Sequence, residues 1–195
     1  MKKYEDLDAE LRRVLDEVRQ QMTTTVISYP ERNPRDRVWG ANNYPGNCSG
    51  KVALGFIDKL QADSMFELCA GSGTNYDMCL DYGVPYCGVD LNPNPVRDGI
   101  KSMDFTDMSQ EFPDEIRTAD MVFSHMPYPG TNRIKYSNGA WKGSPELAKR
   151  DIQNMPFAQG MQEINKAHMR AYHAMKPGAF MVMLVGEIRA NGKFY

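Results

Sequence analysis

The chain has no stretch of 18 apolar residues, and no charged-then-apolar leader opens it. A membrane-crossing helix is therefore not expected, and the chain reads as soluble and cytoplasmic. Its four cysteines, Cys48, Cys69, Cys79 and Cys87, form no C-x-x-C pair, and its histidines offer no zinc spacing. Reduced core thiols and no bound metal are the expectation. Excess positive charge is missing as well: the formal net charge is −2, which argues against a strong stand-alone duplex binder. Internal repeats and low-complexity segments are absent. At 195 residues, one domain with a proper core is the default.

What is present is an alternation of apolar strands and helices, with each strand ending in acids or glycines. The first strand runs from Met65 to Leu68 and turns through Cys69-Ala70-Gly71-Ser72-Gly73-Thr74 into a helix expected from about Asn75 to Tyr82. The second, Tyr86 to Asp90, ends in an acid followed by Leu91. A short strand over Ile100–Met103 leads to Asp104 and Phe105. Another, Ala119 to Ser124, breaks into His125-Met126-Pro127-Tyr128. This pattern predicts a doubly wound, mainly parallel α/β sheet, whose strand ends would gather in one ligand crevice.

The glycine turn is one glycine short of a dinucleotide fingerprint, G-x-G-x-x-G. Glu67 lies four residues before Gly71, where a carboxylate would repel a pyrophosphate but suit an amine or a sulfonium. Asp90 follows Gly73 by 17 residues, the spacing of an acid that holds ribose hydroxyls. A ligand with a ribose and a positive end is favoured, and S-adenosylmethionine has both.

Phe66-Glu67-Leu68-Cys69-Ala70-Gly71-Ser72-Gly73-Thr74 resembles the cofactor motif of the amino-methylating DNA methyltransferases, and His125-Met126-Pro127-Tyr128 resembles their catalytic tetrapeptide, D/N/S-P-P-Y/F, in its histidine variant. The segments Trp39-Gly40 with Tyr44 to Ser49, Ile134 to Ser137, Lys176-Pro177-Gly178 and Gly186 to Tyr195 are similar to a phage- and prokaryote-type branch, so the resemblance covers about Trp39 to Tyr195. It implies S-adenosylmethionine as cofactor, DNA as partner, and methylation of an exocyclic amine, adenine N6 favoured over cytosine N4. The setting it implies is the cytoplasm of a prokaryotic or phage-infected cell.

By the same resemblance, Glu67, Cys69, Gly71, Gly73, Thr74, Asp90, Leu91 and Ser124 belong to the cofactor site. Asp104 and Phe105 would contact the adenine, and Asn47 and Cys48 the methionine tail. His125 and the Met126 carbonyl would hold the target amine, with Pro127 between them and Tyr128, which would stack on the extruded base.

Two departures stand out. Met126 replaces the first proline, which is expected to slacken the loop that aims the carbonyl. The chain also stops just after a strand expected over Phe180–Ile188, so the sheet would lack its C-terminal strands, leaving a homo-oligomer or a partner subunit to complete it. The alternative function is a weak or inactive cofactor-binding subunit that assembles with an active methylase.

Arg133, Lys135, Lys142, Lys149 and Arg150 cluster after the tetrapeptide. With Tyr136 and Trp141 among them, they suit a nucleic-acid backbone. Residues 1–22 read as an amphipathic helix, Tyr4 to Met22, with Leu7, Leu11, Val14, Leu15, Val18 and Met22 on one stripe. That stripe must bury on the domain or on another subunit. A polar connection, Thr23–Asn43, leads to the catalytic domain of residues 39–195. Further helices are expected over Ser49–Gln61 and from about Phe157 to Met175, the latter stopped by Pro177-Gly178.

Overall fold

A computed structural model describes the chain except for residues 25, 131–135, 138, 140, 142, 187, 188, 191, 192 and 195. Its strands are β1 (Met65–Leu68), β2 (Tyr86–Asp90), β3 (Ile100–Ser102), β4 (Met121–Ser124) and β5 (Phe180–Met183), and its helices are α1 (Ala9–Gln21), α2 (Gly50–Leu60), α3 (Thr74–Tyr82), α4 (Pro145–Arg150) and α5 (Phe157–Ala174). The strands form one all-parallel sheet in the order β3-β2-β1-β4-β5. This is the expected α/β Rossmann-like architecture. From β1 the chain winds outward through β2 and β3, then returns to β4 on the other side. The carboxyl ends of β1 and β4 therefore splay into a crevice, as they do wherever an open sheet reverses its winding.

Alternation along the central strands assigns the two faces. Met65, Met121 and Phe123 pack with α1, α2 and α3, in a core that includes Leu11, Leu54 and Tyr82. Phe66, Leu68 and Val122 point the other way, against Phe112, Ile116 and the Ala167–Ala171 face of α5. Among the described residues no strand extends the sheet beyond β5. The short strands β6 (Arg189–Ala190) and β7 (Lys193–Phe194) pair only with each other, antiparallel.

The N-terminal segment is two elements, where the apolar stripe suggested one. A 3-10 turn covers Tyr4–Asp6, Leu7 is extended, and Asp8 starts α1 by accepting a bond from the Leu11 N–H at 2.9 Å. Aspartate at a helix start prefers this cap to a place inside a turn. The stripe buries on the domain itself: Leu7, Leu11, Val14, Leu15 and Val18 join the first core, and the Tyr82 hydroxyl donates to the Leu11 carbonyl at 2.8 Å. The α1–α2 contact also encloses Lys51, whose fully buried ammonium lies 3.0 Å from both oxygens of Glu17.

Element ends differ from expectation by a few residues. β5 stops at Met183, short of the expected Ile188, and β3 stops at Ser102.

Candidate functional site

The site begins where β1 ends. Cys69 takes a left-handed conformation (φ 61°), unusual for a residue with a side chain and costing about 1–2 kcal/mol. Gly71 (φ 53°) and Gly73 (φ 80°) follow, and Gly73 caps α3 without any side-chain bond. The turn is fastened from the neighbouring strand: Asp90 Oδ2 accepts the Gly71 N–H at 2.8 Å, and its Oδ1 accepts the Asn92 N–H at 2.9 Å. Asp90, expected as the ribose acid, is thus also the clamp that shapes the glycine turn.

The crevice above this turn is open to solvent and, with the space at its mouth, spans about 780 Å3. Of the expected cofactor residues, Asn47, Cys48, Glu67, Cys69, Gly71 and Thr74 line it, as do Asp90, Leu91, Asp104 and Phe105. Gly73 lies just behind, against the Arg97 side chain. Asn47 is a brace for the loop: its amide donates to the Ala41 and Tyr44 carbonyls, and its Oδ1 accepts from Ser72 Oγ at 2.8 Å.

Glu67 is the most perturbed acid of the wall. It is 4% exposed, accepts from Asn75 Nδ2 at 2.6 Å and from the Tyr86 hydroxyl, and is pushed up to about 7. Burial is the main cause; the two hydrogen bonds pull the other way, and Asp90 adds repulsion. Burial also raises Asp90 against the two N–H bonds that favour its charge, and lifts the Cys48 thiol to about 12. These thiols stay protonated, and all four cysteines are free. Asn75 Oδ1 and Thr74 Oγ1, at the head of α3, are buried without a partner among the described residues.

The far wall comes from a segment that sequence spacing did not connect to the turn. Tyr136 packs on Tyr44 with ring centres 5.8 Å apart. Asp151 accepts from Ser137 N–H and Oγ, and Arg150 Nε donates to Asp104 Oδ2 at 2.6 Å. Tyr136 and Trp141, expected to meet a nucleic-acid strand, line the crevice, with Trp141 buried. Arg133, Lys135 and Lys142 lie outside the described residues. Tyr44, Asn75, Arg150 and Asp151 are wall residues that the cofactor reading missed. The only signal for Arg150 was its membership of a basic cluster, and Asp151 carried none.

The tetrapeptide divides two spaces. His125 and Pro127 face the crevice, while Ser124, Met126 and Tyr128 face a second cavity, with Pro127 forming a wall of both. His125 Nε2 lies 3.3 Å from the Tyr128 hydroxyl, and burial lowers its proton affinity, so the ring is neutral at pH 7. Met126, expected to slacken the loop, anchors it: its side chain is buried in the second core, and its sulfur sits 3.4 Å from Cys69 Sγ. Ser124 Oγ, expected to serve the cofactor, bonds His168 Nε2 at 2.7 Å.

Among the described residues, no group of three or more His, Cys, Asp or Glu side chains is arranged to hold a metal ion, and no helix is long and apolar enough to cross a membrane. Compared with protein-family models, with curated proteins and with solved structures, the chain matches none.

Proposed function

We propose that the crevice binds S-adenosylmethionine and that the protein methylates an exocyclic amino group in DNA, adenine N6 in preference to cytosine N4. The observation that carries this reading is the gathering of Glu67, Asp90, Asp104 and Asp151 around one glycine turn. Arg150, the one cation on that wall among the described residues, is already bonded to Asp104. Such a wall repels a pyrophosphate and favours a ligand with a cationic end. The residues fit the cofactor part by part. Asp90 is placed for ribose hydroxyls, and Phe105 beside Asp104 suits a flat ring. The uncapped start of α3, with the orphaned Asn75 and Thr74 atoms, suits polar amino-acid groups. Bound there, the cofactor supplies an electrophilic methyl group on a sulfonium.

The chain's own work is positioning, which contributes on the order of 7–11 kcal/mol in well-oriented reactions. The Met126 carbonyl accepts one hydrogen of the amine, and His125, neutral through burial and 3.3 Å from the Tyr128 hydroxyl, steadies that tyrosine from the crevice side. Tyr128 stacks on an extruded base, worth roughly 1–3 kcal/mol, since the amine is otherwise held in the duplex. With a net charge of −2, duplex contact falls to local cations and is sensitive to salt. The setting proposed is the cytoplasm of a prokaryotic or phage-infected cell.

The second reading, a cofactor-binding subunit that a partner or a second copy completes, draws on β5. This outer strand leaves Phe180 and Met183 about half exposed, as a strand awaiting a neighbour would.

Calorimetric titration with S-adenosylmethionine, followed by tritiated methyl transfer to mixed genomic DNA, tests both. Binding with transfer supports the enzyme, and nucleoside analysis then names the base. Binding without transfer favours the subunit. Absence of binding refutes both.

A further inference from the structure

The second cavity differs in kind from the crevice. It opens to solvent and, with the space at its mouth, spans about 700 Å3 between β4, the tetrapeptide and α5. Its walls are apolar, Phe157, Met161 and Pro127 among them, and no Asp, Glu, Lys or Arg lines it among the described residues. A neutral ligand fits such walls, since an ion would lose its hydration without a partner. The polar points are Ser124, His168 and the Tyr128 side chain.

Ser124 and His168 form one unit. Ser124 closes β4 and is 1% exposed, with its backbone pinned by the Leu184 N–H to its carbonyl at 2.8 Å. Its Oγ lies 2.7 Å from His168 Nε2 on α5. Burial holds His168 below the usual imidazole range, and no charged group contributes to the shift. In the tautomer with its proton on Nδ1, Nε2 accepts the serine O–H, which leaves the Oγ lone pairs free to accept from a ligand. No carboxylate bonds Nδ1 among the described residues, so the pair is not the nucleophile and base of a hydrolytic triad. His168 is only partly buried, so its ring can pass a proton on to water.

We propose that Ser124 and His168 together accept the second hydrogen, and on reaction the proton, of a substrate amino group seated in the second cavity against Pro127, the wall that cavity shares with the crevice. The proposal rests on the amino-methylation reading above. A neutral amine that gains a methyl group from a sulfonium becomes a cation with one proton too many. Its N–H bond breaks as an O–H bond forms on Ser124. The original Ser124 O–H breaks in turn as an N–H forms on His168 Nε2. The positive charge moves from the amine to the imidazole, which then passes a proton to solvent. His168 acts through Ser124 and is a positioning and relay residue.

The test combines turnover with a measurement that needs no cofactor. In single-turnover methyl transfer, H168A is expected to lose roughly 100-fold in rate at pH 7, the low end of general-base contributions. It should also lose the acid limb of the wild-type pH profile, regain part of the rate with added imidazole, and keep its calorimetric affinity for the cofactor. Adenosine alone should move the His168 Cε1–H resonance of the wild type and leave it unmoved in S124A. S124A serves as the second variant where H168A is poorly folded. An H168A enzyme with wild-type rate and pH profile overturns the relay while leaving the methyltransferase reading standing. So does an adenosine titration that leaves His168 unmoved. A wild type that binds cofactor but methylates no DNA overturns the parent reading, and the relay with it.

Discussion

Glu67→Gln is expected to stabilise the protein at alkaline pH while weakening its ligand. The side chain is 4% exposed and its carboxyl is pushed from the ordinary 4.5 up to about 7. At about 1.4 kcal/mol per pH unit, ionising it in place costs about 3 kcal/mol relative to the unfolded chain. The sign follows from proton binding. Between pH 4.5 and about 7 the folded state holds a proton that the unfolded state has released. The contribution is therefore present below pH 4.5, is lost as pH rises, and is gone above about 7. Glutamine removes that loss.

Its amide also satisfies the pocket. Oε1 accepts from the Tyr86 hydroxyl, and a turn of the Asn75 amide, whose Nδ2 now donates to Glu67, brings its Oδ1 round to accept from Nε2. Urea unfolding of wild type and variant should agree near pH 4.5 and diverge by about 3 kcal/mol at pH 8.5. In thermal melts the difference corresponds to roughly 6–12 °C for a chain of this size. The same variant should bind S-adenosylmethionine about tenfold or more weakly at pH 8.5, through loss of a charge-assisted bond. A difference in stability that does not change with pH would refute the burial argument.

Two other perturbations probe the scaffold. Glu17→Ala leaves the Lys51 ammonium, fully buried between α1 and α2, without its partner. It should destabilise by about 3–5 kcal/mol, with much of the loss recovered in a Lys51→Met, Glu17→Leu double variant; chemical denaturation of all three proteins decides this. Gly71→Ala forces a side chain into φ 53° with its Cβ 3.2 Å from the Tyr44 ring. It should cost about 1–2 kcal/mol and lower cofactor affinity in calorimetry; unchanged affinity would show that the turn does not cradle the ligand.

The elements legible in the chain were those whose cause is local. β1 and β2 are short apolar runs closed by a turn or an acid. α3 starts and ends at the left-handed glycines Gly73 and Gly83, and the reading placed it within a residue. The start of α1 at Asp8 was a local signal too, but the apolar stripe from Leu7 masked it. α4 went unread because six residues from Pro145 to Arg150 carry no buried position and hence no periodicity.

For the site, the sequence determined which acids stand at strand ends, since period-2 strands and glycine turns are written in adjacent residues. Tertiary structure decided what those acids touch. Asp104 meets Arg150 across 46 positions, and Ser124 meets His168 across 44. Only the packed fold makes Met126 an anchor, turns Tyr136 and Trp141 inward, and sets Pro127 as the wall between two cavities. Only the fold, too, decides the charge of Glu67. A carboxyl's proton affinity depends on how much water its surroundings exclude and on which donors reach it, and those surroundings are assembled from residues remote along the chain.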